Sequence, residues 1–235
     1  MKKLVSSVSF LLLLLAATPP AAAQQTDFGL KLGLASSTAG PLPTPSADER
    51  RTGVVAGVFI RQALGQHLSL QPELAYEQRG LKTTAQGTLG FEGSFGGYER
   101  RETTRLQYLA LPVLLRGQLG KFFVLAGPQI SFLLAARQQA TTEYYLSPSI
   151  PRIALPYAPV ENKGTSTFNR WEPGYVVGAG CQLTSRLALE ARFVAGLSGI
   201  QEPEPGFDNP ARFFNPLVTA RNRTWQAQVS YQLSK

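Results

Sequence analysis

The sequence predicts an all-β chain, an eight-stranded antiparallel transmembrane β-barrel with long extracellular loops and short periplasmic turns. Three observations carry this expectation. The chain begins with an export signal. It then holds eight short segments in which apolar and other residues alternate. Those segments are joined by links that are alternately long and short.

The export signal occupies residues 1–23. Lys2 and Lys3 precede an apolar run from Leu4 to Ala17, followed by Pro19, Pro20 and the small residues Ala21, Ala22 and Ala23. A basic start, a short apolar centre and an A-x-A end are the marks of a cleaved signal peptide. The mature chain is expected to begin at Gln24 and to form one barrel domain over residues 24–235. The apolar run falls short of the ~20 residues a membrane helix needs. The one cysteine, Cys181, lies far from the cleavage point, which argues against a lipid anchor. A lone cysteine also rules out a disulfide within the chain, so the stability that small exported domains often draw from disulfides must come from elsewhere. A closed barrel in a bilayer supplies it, because every backbone group is paired.

The net charge of +8 drops by two when Lys2 and Lys3 leave. The remaining basic residues are scattered and form no stripe along the sequence, so nucleic acid is not an expected partner.

Taken in order, the first segment alternates Phe28, Leu30, Leu32 and Leu34 with Gly29, Lys31, Gly33 and Ala35. Residues 53–62 form a Val-rich second segment. Leu68, Leu70, Pro72, Leu74 and Tyr76 alternate with Ser69, Gln71, Glu73, Ala75 and Glu77. Residues 104–117 are apolar on both faces, which leaves their phase open. Phe122 to Phe132 carries apolar residues at even positions. Tyr175, Val177, Ala179, Cys181 and Leu183 form the sixth outer row, and Leu187 to Leu197 the seventh. The last is the cleanest: Trp225, Ala227, Val229, Tyr231 and Leu233 alternate with Gln226, Gln228, Ser230 and Gln232. Each segment approaches the 9–11 residues a tilted membrane strand needs.

Short links are expected at Ala63–Gln66, Gln118–Lys121 and Thr184–Arg186. Long loops are expected at Ser36–Thr52, Gly80–Thr103, Ala135–Asn169 and Ser198–Ala220. Tyr76, Phe132, Trp171, Tyr175 and Trp225 fall near the long-loop ends, and Phe122 and Tyr231 towards the turns. Membrane barrels place aromatic girdles at these two levels.

The alternation turns six charged residues inwards: Lys31, Arg61, Glu73, Glu77, Glu190 and Arg192. An Arg or Lys facing lipid at the midplane costs about 2–4 kcal/mol, so these must point into the lumen and pair there. Glu73 and Glu190 are expected to pair with Arg61 or Arg192. An eight-stranded interior is only wide enough for side chains. The cluster is therefore read as a structural plug of salt bridges, with a selectivity element or ligand site as the other reading.

Little else suggests chemistry. A Ser-His-Asp arrangement needs a histidine, and the only one, His67, sits beside a predicted turn. One Cys and one His build none of the usual zinc sites. Gly178-Ala179-Gly180 opens no dinucleotide fingerprint. Glu202, Glu204 and Asp208 are spread among prolines and form no calcium loop. No catalytic residue, cofactor or metal is expected.

Several stretches resemble the PorT-like family of outer-membrane β-barrel proteins: LSLQPELAYEQRG at 68–80, LQYLALPVLLRG at 106–117, FFVLAGPQISFLL at 122–134, GYVVGAGCQL at 174–183 and LALEARFVAGLSGI at 187–200. The resemblance implies that Leu109, Leu111, Val113 and Leu115 face lipid. The family's fourth strand carries a Glu where this chain has Ala110. Named members are linked to protein secretion, so the resemblance also implies a secretion accessory as one role. The expected partners are outer-membrane lipid, the barrel-assembly machinery during insertion, and an unnamed surface ligand or secretion partner. The expected role is non-enzymatic, structural in the envelope or binding at the surface. A soluble, lipocalin-like ligand-binding barrel is the remaining alternative.

Overall fold

In the computed structural model, residues 26–40, 47–91, 94–145, 160–201 and 219–233 are described, and the expected signal segment at 1–23 lies outside them. Among the described residues nine strands form: β1 (Thr26–Gly40), β2 (Ala47–Ala63), β3 (Leu68–Phe91), β4 (Ser94–Leu119), β5 (Phe122–Tyr145), β6 (Val160–Lys163), β7 (Trp171–Gln182), β8 (Leu187–Gly196) and β9 (Arg221–Gln232). Eight of them close a ring in which each strand pairs antiparallel with its neighbours. The ring runs β1, β2, β3, β4, β5, β7, β8, β9 and back to β1. The short β6 is an addition that, among the described residues, pairs only with the far end of β5.

The period-2 pattern sets which side chains face out, and the result is inverted relative to a soluble barrel. Leu32 is 65% exposed and Phe122 70% exposed, while Lys31 and Glu73 are 5% and 6% exposed. Leu30, Leu34, Val58, Ile60, Leu111, Leu115 and Val124 join the exposed apolar surface. Soluble monomers rarely carry an apolar patch above a few hundred Å², and this one runs round the ring. A lipocalin-like barrel needs the opposite polarity, with its apolar face turned inwards. In the fourth strand, Leu111 and Leu115 are exposed while Ala110 and Leu114 are buried, the phase the resemblance implies. Two outer aromatic pairs, Phe132–Trp171 at 4.8 Å and Phe193–Trp225 at 5.0 Å between ring centres, lie near the long-link ends.

Tight turns fall at residues 64–67, 120–121 and 183–186, all at one end. At the other end three of the expected long loops need correction. Residues 80–91 and 94–103 are strand and not loop: β3 runs on to Phe91 and pairs with β4 as far as Phe91↔Ser94. Residues 135–145 belong to β5 and pair with β4 as far as Gly97↔Tyr145. The link 36–52 is likewise shortened by β1 and β2. The last long link has 202–218 outside the described residues. The polar residues there suggested loop, yet Thr-rich runs such as Thr83-Thr84, Thr103-Thr104 and Thr141-Thr142 are good strand formers.

Gly80 marks a kink in β3, beyond which Leu81 to Thr84 still pair with β2. Its φ of 150° is one that side-chain-bearing residues avoid. A Cβ there would meet the Thr104 carbonyl oxygen at 2.1 Å. Its amide and carbonyl both bond the Ser37 hydroxyl at 2.9 Å. Register shifts lie at a similar height, between Arg50 and Val55 in β2 and at Leu134 in β5. The second flips the side-chain phase, so that Leu134 and Ala135 are both exposed.

Candidate functional site

The lumen carries two polar networks, each built by strands that place alternate residues inwards. The lower one joins Lys31 of β1, Glu73 of β3, and Glu190 and Arg192 of β8. Lys31 Nζ lies 2.7 Å from Glu73 Oε1 and 2.8 Å from Glu190 Oε1. Arg192 grips Glu73 through both terminal nitrogens at 2.7 Å and reaches Glu190 at 2.9 Å. Gln71 adds a bond to Glu73 at 2.6 Å. Two cations and two carboxylates thus form a neutral quartet sealed from solvent. Burying such charges is tolerable only when they are paired and hydrogen-bonded.

The expected partner Arg61 stands apart from the carboxylates. It donates to Gln71 at 3.0 Å and to Gln232 at 3.4 Å, and lies 5.1 Å from the Phe59 ring centre. Of the two cations expected to pair with Glu73 and Glu190, Arg61 or Arg192, it is Arg192 that meets both, and among the described residues Arg61 makes no ion pair with either. Lys31, nearer the quartet's centre, also bridges both carboxylates. Glu77 also lies outside the quartet.

Glu77 belongs to the upper network, which the sequence reading did not foresee. Its hub is Arg79, bonded to Glu77 at 2.6 Å and to Glu172 at 3.0 Å. Ser131 accepts a further bond at 3.2 Å, and the guanidinium lies 4.9 Å from the Tyr108 ring centre. Asn222 donates to Glu172 at 2.6 Å and to the Tyr108 hydroxyl at 3.3 Å. Arg79 and Glu172 were legible in principle. Arg79 continues the inner row of Glu73 and Glu77, and Glu172 alternates with Trp171, Pro173 and Tyr175.

Arg116 is the third buried guanidinium. It stacks 3.4 Å from the Phe123 ring centre and donates to Gln118 and Gln182 at 3.2 and 3.3 Å. Gly180 makes room for that ring: a Cβ there would lie 2.3 Å from Phe123 Cζ.

An apolar layer lies over the upper network. Leu81, Leu106 and Leu133 point in from the strands, and Phe168 and Ile200 fold in from the links, all buried. Asn169 holds the two links together by donating to the Gly199 carbonyl at 2.7 Å. A second apolar cluster, including Leu114, Phe123, Leu125, Val176 and Val194, fills the β4–β8 side of the lumen. The interior is packed with side chains, as expected of eight strands.

His67 is exposed at the turn after β2, and Cys181 is half-buried on the outer row of β7. Among the described residues no three His, Cys, Asp or Glu side chains converge as a metal ion would require.

The model of the outer membrane protein beta-barrel domain family matches residues 22–202. The chain belongs to this family. Membership accounts for the inverted polarity: a family of outer-membrane barrels has lipid outside and side chains within. It is a membership in the broad barrel family, and the PorT-like subdivision is a finer matter. No curated protein matches the chain significantly. Among solved structures, it is similar to the attachment invasion locus protein Ail of Yersinia pestis, with 9% identity and a TM-score of 0.40, covering 89% of this chain and 99% of that one. It is similar to Neisserial surface protein A at 9% identity and 0.40, covering 88% and 98%. It is also similar to the outer membrane protease OmpT of Escherichia coli at 9% and 0.27, covering 91% and 99%.

Proposed function

We propose that this barrel is a non-enzymatic surface-binding protein that meets its partner through the sheet formed by the far ends of β3, β4 and β5. One observation carries the reading. These strands hold 24, 26 and 24 residues, against 12, 10 and 12 for β7, β8 and β9. The bilayer accounts for only 9–11 residues of each. The surplus of a dozen or more, at ~3.3 Å per residue, stands roughly 40 Å along the strands beyond the membrane. Among the described residues, 85–91 of β3 and 141–145 of β5 pair on one side only, and such edges can take up another chain. The packed lumen speaks against solute passage as the main role, and the lone exposed His67 against acid–base catalysis in the lumen.

Cysteine labelling in a Cys181→Ala background tests the topology and the partner together. Thr84→Cys should react with a membrane-impermeant maleimide on intact cells, and Thr184→Cys should not. A photo-crosslinker at Thr142 should then capture an extracellular protein. Labelling of Thr184→Cys alone would overturn the topology. Capture of export-machinery components alone would replace surface binding with the secretion-accessory role that the PorT-like resemblance implies.

A further inference from the structure

Three cations lie side by side on the outer face of the barrel. Arg105 of β4 is directly opposite Arg137 of β5, and Arg137 is directly opposite Lys163 of β6. All three are exposed, while their chain neighbours Leu106 and Ala136 point into the buried layer. Like charges placed directly opposite on one face destabilise a sheet. A single carboxylate, that of Glu161, is shared by Arg137 and by Lys163, the latter at 3.5 Å. Arg105 has no ion pair among the described residues. Three cations against one acid leave a local surplus of two positive charges.

Their height on the barrel supplies the second observation. The cations line a groove of about 400 Å³ together with the exposed Leu134 and Ala135, which form its floor. The β5 register shift at Leu134 opens this floor by exposing two successive side chains. Directly beneath lies the outer aromatic pair Phe132–Trp171. Arg170 joins the two levels, with its guanidinium 5.6 Å from the Phe132 ring centre and a bond to Thr165 at 2.8 Å. The groove thus spans the boundary between the lipid-facing surface and water, apolar below and cationic above.

We infer that this groove binds the phosphorylated headgroup of an outer-leaflet lipid. Phosphate oxygens would accept from Arg105, Arg137 and Lys163 and relieve their mutual repulsion. The fork of an Arg matches phosphate geometry well. The acyl chains would continue down over Leu134 and Ile130, which are already exposed. An inorganic phosphate ion has no use for that floor, and the charge row lies at headgroup height. Basic pockets at this level bind anionic headgroups.

The test uses the whole folded protein in non-ionic detergent and measures lipid retention by native mass spectrometry. The probes are bis-phosphorylated lipid A, the same lipid with its phosphates removed, and inorganic phosphate as competitor. A basic side chain near an anionic headgroup contributes roughly a fivefold factor in binding. The Arg105→Gln/Arg137→Gln double variant should therefore weaken lipid A retention about 25-fold, and Lys163→Gln about fivefold. Arg100→Gln, an exposed cation higher on β4 already paired with Glu102, should leave retention unchanged. Heat-dependent gel migration checks that each variant is folded. Equal retention by wild type and double variant, or equal retention of both lipids, would overturn the inference. Full displacement of lipid A by millimolar phosphate would reduce the groove to a simple anion site and overturn the lipid assignment.

Discussion

The two sides of the barrel solve the same lower half and differ above it. On the β7–β9 side each strand ends close to where its apolar outer row ends. On the β3–β5 side the same kind of outer row is followed by a second, water-facing half. Below, the outer face of the sheet is apolar and the inner face carries the charges, most of them sealed in two buried networks, with Arg61 and Arg116 outside both. Above, both faces are polar, and ion pairs form along a single strand, as Arg101–Glu99 at 2.7 Å and Arg100–Glu102 at 3.1 Å do on β4, each with an exposed Arg. A lipid-spanning sheet must pair its charges inside because neither solvent outside nor bulk water within will take them. A sheet standing in water is released from that rule, and its ion pairs contribute little.

This contrast predicts where the molecule breaks. Glu73→Gln should have the largest effect, because it strips a shared carboxylate from both Lys31 and Arg192 and leaves the quartet with surplus buried charge. A loss of about 3–5 kcal/mol is expected, read as a lower urea midpoint for the folded, fast-migrating gel band. An unchanged midpoint would mean that water solvates the quartet. Glu172→Gln should cost less, roughly 1.5–3 kcal/mol, since Arg79 keeps Glu77. If it proves as damaging as Glu73→Gln, the upper network is the more tightly sealed of the two.

In the projecting sheet Glu102→Gln should shift the same midpoint by under ~1 kcal/mol, although Glu102 meets both Arg100 and Gln138. The smallest effect on the barrel is expected from the largest deletion. Replacing Thr84–Arg101 by Asn-Gly joins the paired residues Thr83 and Glu102 with a two-residue hairpin turn. Crosslinking at Thr142 should disappear while the midpoint holds. A barrel that no longer folds would show that the projecting sheet supports the ring.

Much of the membrane half was legible in the sequence because lipid and lumen impose period 2 with a sharp polarity difference. Lys31, Glu73, Glu190 and Arg192 could be assigned to one face from parity alone. Arg79 and Glu172 were passed over because Gly80 and Pro173-Gly174 read as strand ends. In the fold Gly80 is a kink within a continuing strand, and Pro173 stands opposite Ile130 inside the ladder. Arg116 stayed out of view because its strand is apolar on both faces and its phase came only through the resemblance.

By itself the sequence determined the class of the chain: all-β, eight membrane segments, tight turns at one end, and the lipid-facing row of each strand whose two faces differ. These follow from local alternation and from the bilayer's fixed thickness, which act on each strand separately. Only the tertiary structure decided which lumen charges meet, because partners such as Lys31 and Glu190 are 159 residues apart. Their contact depends on ring closure and on the stagger between strands, which alternation does not encode. It also decided how far the strands run. Polar residues on both faces suit a loop or a sheet equally well, and pairing with a neighbour of equal length chose the sheet. The cation row on β4, β5 and β6 follows from the same register, with Arg105, Arg137 and Lys163 unrelated until the strands are set side by side.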